Sequence, residues 1–207
     1  TALDVAAKYI KSDENYNNIL VVGAYAMSKY LNLQDKKTVT LFADGAGAVI
    51  LSSTNEDTGF LGSKLHTEGQ YHDWMGIYTG GTKNVINQTT INQKDHLLKF
   101  VKKFPKEINP TTWTSMISEL AQSLGYKTTD IDKIFFTQIN INSINETLEN
   151  LNLDMNHTHT VMDRFAYTGS ACIPMALADA VEQDQLKKND LVFFMGSGGG
   201  LAFATAA

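Results

Sequence analysis

The sequence predicts an α/β chain with an internally duplicated core, and three observations carry that reading. Residues 190–207, DLVFFMGSGGGLAFATAA, set an apolar run against Gly-Ser-Gly-Gly-Gly and a second run of small apolar residues. Short apolar runs bounded by glycine read as buried strands rather than helices. Residues 38–53, TVTLFADGAGAVILSS, repeat the arrangement of strand, glycine turn and strand. Between the two lie segments with helical periodicity, so strands and helices alternate along the chain. Glycine in both loops permits positive φ and close backbone approach. Each loop is open to two readings: a row of backbone N–H groups facing a ligand, or a tight turn in a central sheet.

Taken in order, residues 1–12 carry Leu3, Val5, Ala6, Ala7 and Ile10 as the stripe of a packed helix. No capping residue stands before it, and more protein is expected upstream. Residues 19–22 read as a short strand, followed by a helical turn over 25–31 and a solvated turn at Asp35-Lys36-Lys37. Residues 55–92 are polar and glycine-rich, with scattered aromatics at Tyr71, Trp74 and Tyr78. They read as a strand and an irregular insertion, which either covers one end of the core or shapes a site. Helix resumes over 93–105, and a further helix over 111–124 starts at Asn109-Pro110 and is closed by Gly125. Ile134-Phe135-Phe136 is a buried strand ending at Thr137-Gln138. Residues 140–151 place Ile141, Ile144, Leu148 and Leu151 on one helical face. Val161-Met162 ends a short strand, and Pro174 marks the first turn of a helix over 174–184.

Composition narrows the function classes. At 207 residues and 43% hydrophobic the chain can bury a substantial core. No stretch approaches the ~20 apolar residues of a membrane span, and the first residues do not read as a signal peptide. A net charge of -5 argues against a nucleic-acid partner. The one cysteine, Cys172, rules out an intrachain disulfide and fits a reducing cytoplasm. Arg164 is the only arginine, so lysine would have to grip any phosphate.

Side-chain chemistry by itself names no reaction. His157 and His159 would share one face of a strand, as a metal pair does, but no third ligand stands at metal spacing, and no metal is predicted. His66 and His72 flank a glycine-containing loop, and nothing marks either as a base. Cys172, among Gly169, Ser170 and Ala171, reads as a buried packing residue more readily than as a nucleophile. Neither glycine loop is a phosphate loop, since no Gly-Lys-Ser/Thr follows.

Four motifs in order, LFADGAGAVIL, DKIFFTQINI, DRFAYTGSACIPMALADAV and DLVFFMGSGGGL, resemble the β-ketoacyl-acyl carrier protein synthase III family of the thiolase superfamily. The resemblance covers nearly the whole chain and is weakest over residues 55–109. It implies a thiolase-like α-β-α-β-α sandwich of two duplicated halves. Residues 1–53 would be the end of the first half and residues 54–207 nearly all of the second. It also implies an acyltransferase acting on acyl-CoA and acyl carrier protein thioesters in fatty acid or related lipid biosynthesis. Such an enzyme is cytoplasmic, needs no cofactor, and works as a homodimer or as a heterodimer with a homologue.

In that family a cysteine at a helix N-terminus, where the thiol pKa falls, takes the acyl group. A His and an Asn then assist decarboxylation of a malonyl thioester, while backbone N–H groups hold the oxyanion. The helix that follows the family's cysteine resembles residues 1–6, so the nucleophile is expected just ahead of Thr1, and Cys172 is not it. The family's His-Gln-Ala-Asn stands here as Thr137-Gln138-Ile139-Asn140, and its Gly-Asn-Thr-Ser as Ala166-Tyr167-Thr168-Gly169. Thr137 and Tyr167 therefore occupy the two catalytic places. By the same resemblance Gly198 and Gly199 form the oxyanion hole, Gln138 and Asn140 contact substrate, and Asn142 stands where a basic residue meets the carrier protein. Threonine donates a hydrogen bond but is no imidazole base. Three outcomes stay open: condensation, a non-condensing acyl transfer or hydrolysis, and a non-catalytic subunit beside an active homologue.

Overall fold

The computed structural model describes residues 1–207. Its first part is α1 (Ala2–Ser12), β1 (Asn18–Tyr25), α2 (Lys36–Val39) and β2 (Gly45–Ser52). Then come β3 (Ser63–Thr67), β4 (Met75–Gly76), α3 (Gln88–Asn92), β5 (Lys99–Phe100) and α4 (Ile108–Ser123). The chain closes with β6 (Lys133–Phe136), α5 (Ile141–Asn150), α6 (Met162–Phe165), α7 (Cys172–Glu182), β7 (Val192–Gly198) and β8 (Ala202–Ala206).

Two sheets dominate. β1 and β2 pair antiparallel along their whole length, with Asn18 opposite Ser52 and Tyr25 opposite Gly45. The second sheet has the order β3-β8-β7-β6, parallel between β6 and β7 and antiparallel elsewhere. The parallel pair requires a crossover, and α5, α6 and α7 provide it. Side-chain alternation splits the crossover helices between the faces. Ile134, Phe136, Phe193 and Met195 turn to Trp113 and Ile117 of α4 and Ile144 and Leu148 of α5. Phe135 turns the other way, to Ala176 and Ala180 of α7, with Val192 and Phe194 packed against the same cluster.

The small residues of α7 serve a second surface as well. A Cβ on Gly47 would stand 3.0 Å from the Pro174 side chain, and one on Gly23 would overlap the Ser170 carbonyl. Glycine at these two positions lets β1 and β2 lie directly on the start of α7. α1 shares this middle layer, and its Asp4 carboxylate accepts hydrogen bonds from Ser63 Oγ at 2.7 Å and Lys8 Nζ at 2.8 Å. The layers therefore run α4/α5, four-stranded sheet, α1/α7, two-stranded sheet, the thiolase-like α/β arrangement.

Several sequence expectations need correction. Residues 38–42 do not form a strand. Asp35 caps a single helical turn there, its carboxylate accepting the Lys37 N–H at 3.0 Å, and the glycines that follow lie inside β2 as packing positions. Residues 93–105 are not helical. Val101 N–H donates to the Trp74 carbonyl at 2.8 Å, and β5 pairs with β4. Residues 161–162 end no strand. Thr158 makes one isolated bridge to Ile134, and Met162 already opens α6. The helix expected over 111–124 starts earlier, with Pro110 in its first turn, where no N–H is required.

Candidate active site

Four chain segments converge at the C-terminal end of β6. The first is Thr137-Gln138, which leaves the strand directly. Thr137 N–H donates to the Met195 carbonyl at 2.9 Å, and Thr137 Oγ1 accepts the Ser197 N–H at 2.8 Å. The threonine is buried, so its hydroxyl ties the end of β6 to β7. Gln138 is spent in the same manner. Its amide nitrogen donates to the Phe136 carbonyl at 3.0 Å, and its amide oxygen accepts the Val161 N–H at 2.9 Å. Asn140 is exposed and caps α5, accepting the Asn142 N–H at 3.0 Å.

The second segment carries Tyr167. Its backbone is pinned to residues 41–43, with Tyr167 N–H to the Leu41 carbonyl at 3.0 Å and Ala43 N–H to the Tyr167 carbonyl at 2.9 Å. The ring lies against Phe42, with centroids 5.4 Å apart, and nearer the sheet against Tyr25 at 6.3 Å. Burial pushes the Tyr167 hydroxyl well above the ordinary tyrosine range, and the neighbouring Cys172 and Tyr25 add to the shift. Tyr25 is pushed up to about 12, again chiefly by burial.

Cys172, the third participant, opens α7 and is buried. Burial raises its thiol pKa, and the backbone at Gln138 and Ile173 partly opposes that shift. The thiol is a buried packing residue, shifted towards the protonated form. Gly169 fits here because it adopts φ +53° and lies on the Tyr25 ring, where any side chain would collide.

The fourth segment is the glycine loop. Gly198 ends β7 one residue beyond the Ser197 N–H held by Thr137, and a Cβ on Gly199 would stand 3.9 Å from Met75 Cε. A cis peptide links Gly200 to Leu201. Beyond it the backbones of Leu201 and Glu68 exchange hydrogen bonds of 2.8 and 3.1 Å. Met75 of β4 and Phe100 of β5 pack with Tyr25 and Tyr167 around Phe42, so the segment expected as an irregular insertion walls the site.

These neighbours form a site of neutral hydrogen-bond donors. Its titratable members, Tyr25, Tyr167 and Cys172, are all shifted towards the protonated form. Four histidines have partners of their own: His66 with Glu68, His72 with the Gly69 carbonyl, His157 with Asp154 and His159 with Asp179. His157 and His159 therefore face different carboxylates. Sequence reasoning missed Tyr25, Phe42 and Met75. Only the close fit of Tyr25 on Gly169 announces the first of these, and that contact spans most of the chain. A cleft of about 1370 Å³ lies elsewhere, between α1, the two-stranded sheet and α7. Leu3, Ile10, Phe60 and Leu177 line it, and Thr137 and Tyr167 do not.

Comparison with known proteins supplies the relatives. Residues 1–69 match the family model for 3-oxoacyl-[acyl-carrier-protein (ACP)] synthase III, and residues 120–207 match the model for the C-terminal part of the same enzyme. The chain is 32% identical over 193 residues to β-ketoacyl-[acyl-carrier-protein] synthase III of Clostridioides difficile, covering 92% of this chain and 58% of that protein. It is 34% identical over 208 residues to the Ehrlichia canis protein of the same name, covering 99% of this chain and 61% of that one. The solved 3-oxoacyl-(acyl carrier protein) synthase III of Pseudomonas aeruginosa superposes with a TM-score of 0.87 at 21% identity, over 99% of this chain and 62% of that one. The Thermus thermophilus enzyme superposes with a TM-score of 0.85 at 25% identity, with the same coverage of 99% and 62%. The chain thus spans about three-fifths of the length of the relatives it matches.

Proposed function

The chain belongs to the 3-oxoacyl-[acyl-carrier-protein (ACP)] synthase III family, and we propose that its protein is an acyltransferase of acyl-CoA and acyl carrier protein thioesters in fatty acid or related lipid biosynthesis, with an altered second step. One observation carries the altered step: threonine and tyrosine stand where the family's histidine and asparagine would be, and the tyrosine hydroxyl is held protonated. In the first half-reaction a cysteine thiolate ahead of Thr1 attacks the thioester carbonyl, and the tetrahedral intermediate collapses with release of coenzyme A. The N–H groups of Gly198 and Gly199 stabilise the oxyanion, and the Tyr167 hydroxyl polarises the carbonyl by donating to it. Asn140, at the exposed mouth, borders the pantetheine channel. Gln138 contributes by holding the Val161 N–H, which fixes the loop bearing Tyr167.

Transfer of the acyl group to oxygen, nitrogen or water needs carbonyl polarisation, and the proton lost by the incoming group passes to the cysteine thiolate that departs. Decarboxylation of a malonyl thioester needs donors aimed at the new enolate, a task for which imidazole and amide are suited and a buried Thr137 hydroxyl turned to the Ser197 backbone is not. The test uses the full-length protein with a panel of acyl-CoAs, followed by intact mass and malonyl-thioester decarboxylation. A stable acyl adduct with decarboxylation at background is expected. Decarboxylation at a rate typical of the family would overturn the altered second step.

A second reading, a non-catalytic subunit paired with an active homologue, is favoured by the Thr137 hydroxyl, which is buried and turned to the Ser197 backbone, accepting its N–H at 2.8 Å. Failure of every acyl-CoA to form an adduct would select it. Turnover by the isolated homodimer would exclude it.

A further inference from the structure

We infer that Tyr25 is a further catalytic residue, its hydroxyl donating to the same carbonyl oxygen as that of Tyr167; this rests on the acyltransferase reading above and adds a second side-chain donor to it. The two rings enter the site from different elements. Tyr25 ends β1, opposite Gly45 of β2, and Tyr167 lies in the loop before α7. Their centroids are 6.3 Å apart, with the ring planes tilted by 45°. Phenols so placed can converge on one oxygen, each at a hydrogen-bond length of about 2.7 Å.

Both donors are fixed by the frame around them. The Tyr25 ring covers Gly169, where a Cβ would stand 2.4 Å from ring carbons, so a side chain at that position would displace the ring. Ser170 Oγ donates to the Ala24 carbonyl at 3.1 Å, which ties the end of β1 to the loop carrying Tyr167. Tyr167 is held in turn by its backbone bonds to Leu41 and Ala43. Moving one phenol against the other would break these contacts. Donors held in this way stabilise developing charge without reorganising as it forms.

Nearby polar side chains are turned to the chain itself. Thr137 accepts the Ser197 N–H, Gln138 bridges the Phe136 carbonyl and the Val161 N–H, and Thr168 Oγ1 lies 3.5 Å from Met175 Sδ. Burial raises the pKa of both tyrosines above all, and Cys172 adds to each shift, with Tyr25 adding to that of Tyr167. The two hydroxyl ends therefore share one region beside the thiol, and both meet a substrate as protonated donors. The step needs no proton from either ring. The cysteine thiolate adds to the thioester carbon, negative charge gathers on the carbonyl oxygen beneath the hydroxyls, and the C–S bond to coenzyme A breaks with release of its thiolate.

The probe is dethia-acetyl-CoA, a ketone that no thiolate can cleave, isotopically labelled at its carbonyl carbon for NMR. It is added to the full-length protein and to Tyr25→Phe, which removes the hydroxyl and keeps the ring. The carbonyl resonance should move downfield on binding the unmodified protein, and Tyr25→Phe should give up part of that shift. In single-turnover acylation by acetyl-CoA the variant should be roughly a hundredfold slower, with apparent affinity changed by less than about twofold. Should Tyr25→Phe fail to fold, 3-fluorotyrosine at position 25, a stronger acid of nearly the same shape, should enlarge the shift instead. An unchanged shift in the altered protein overturns the proposal, as does absence of binding or of any shift in the unmodified one. Slower acylation with the full shift retained also overturns it, and makes Tyr25 a support for the loop. A protein that shifts the ketone but forms no adduct with any acyl-CoA keeps the donor pair and loses the acyltransferase reading.

Discussion

β6 and β1 are both short strands rich in branched and aromatic residues, yet they live in opposite surroundings. Every residue of β6 is buried, with α4 and α5 on one face and α7 on the other. β1 and β2 alternate, and while one face lies on α1 and α7, the other leaves Leu20, Val22 and Ile50 exposed at 62%, 56% and 68%. The four-stranded sheet is a finished core. The two-stranded sheet depends on a single covered face, and its bare face is an apolar patch of the sort that marks a contact surface.

The sharpest way to break that contrast is Trp113→Ala. The indole is fully buried between α4 and Phe136, and its removal should cost about 3–5 kcal/mol in chemical denaturation. A loss below ~1 kcal/mol would mean that the core of the four-stranded sheet is not the main store of stability. Next comes Thr137→Val, which strands the part-buried Ser197 N–H at the junction of β6, β7 and the glycine loop. About 1–3 kcal/mol of destabilisation should follow, with faster amide exchange at Ser197 and Gly198 as the local signature.

Asp179 probes the layer that both sheets share. Arg164 and then His159 hold its carboxyl below the usual range by hydrogen bonding, at 2.5 and 2.6 Å. A depressed folded pKa stabilises the protein above the ordinary carboxylate value of about 3.9 and loses that contribution as pH falls through the lower folded value. Asp179→Asn should therefore cost about 1–2 kcal/mol at neutral pH, between exposed and fully buried pairs. The deficit should vanish in acid. A deficit independent of pH would assign the effect to packing. The smallest effect belongs to the bare face: Ile50→Ala in this chain should stay within about 0.5 kcal/mol of the parent, and a loss matching that of a β6 residue would show the face to be covered.

Much of the finished half could be read from the sequence, because its signals are local. Ile134 to Phe136, the helical face of Ile144 and Leu148, Pro174 at the start of α7 and the glycine turn after β7 each announce their element within a few residues. What stayed hidden depends on contacts between distant segments. Gly45 and Gly47 looked like a turn, but they are flat positions in β2 that admit Pro174 and Met175. Residues 93–105 carry an apolar spacing that helix and strand both satisfy, and pairing with β4 decides for strand. At the site, Thr137 and Tyr167 were found by position in a motif. The hydrogen bond between Thr137 and Ser197, and the tilted packing of Tyr167 on Phe42 and Tyr25, required the folded chain.

Cys172 has one more consequence. As the only thiol in the chain, buried where α7 meets the end of β6, it is a built-in clock for local opening. An alkylating reagent reaches it only when α7 lifts from Gln138, so under native conditions its labelling rate measures the free energy of that opening. A ligand that fills the site and steadies the Tyr167 loop slows the clock, and its affinity can be read without knowing what reaction it undergoes.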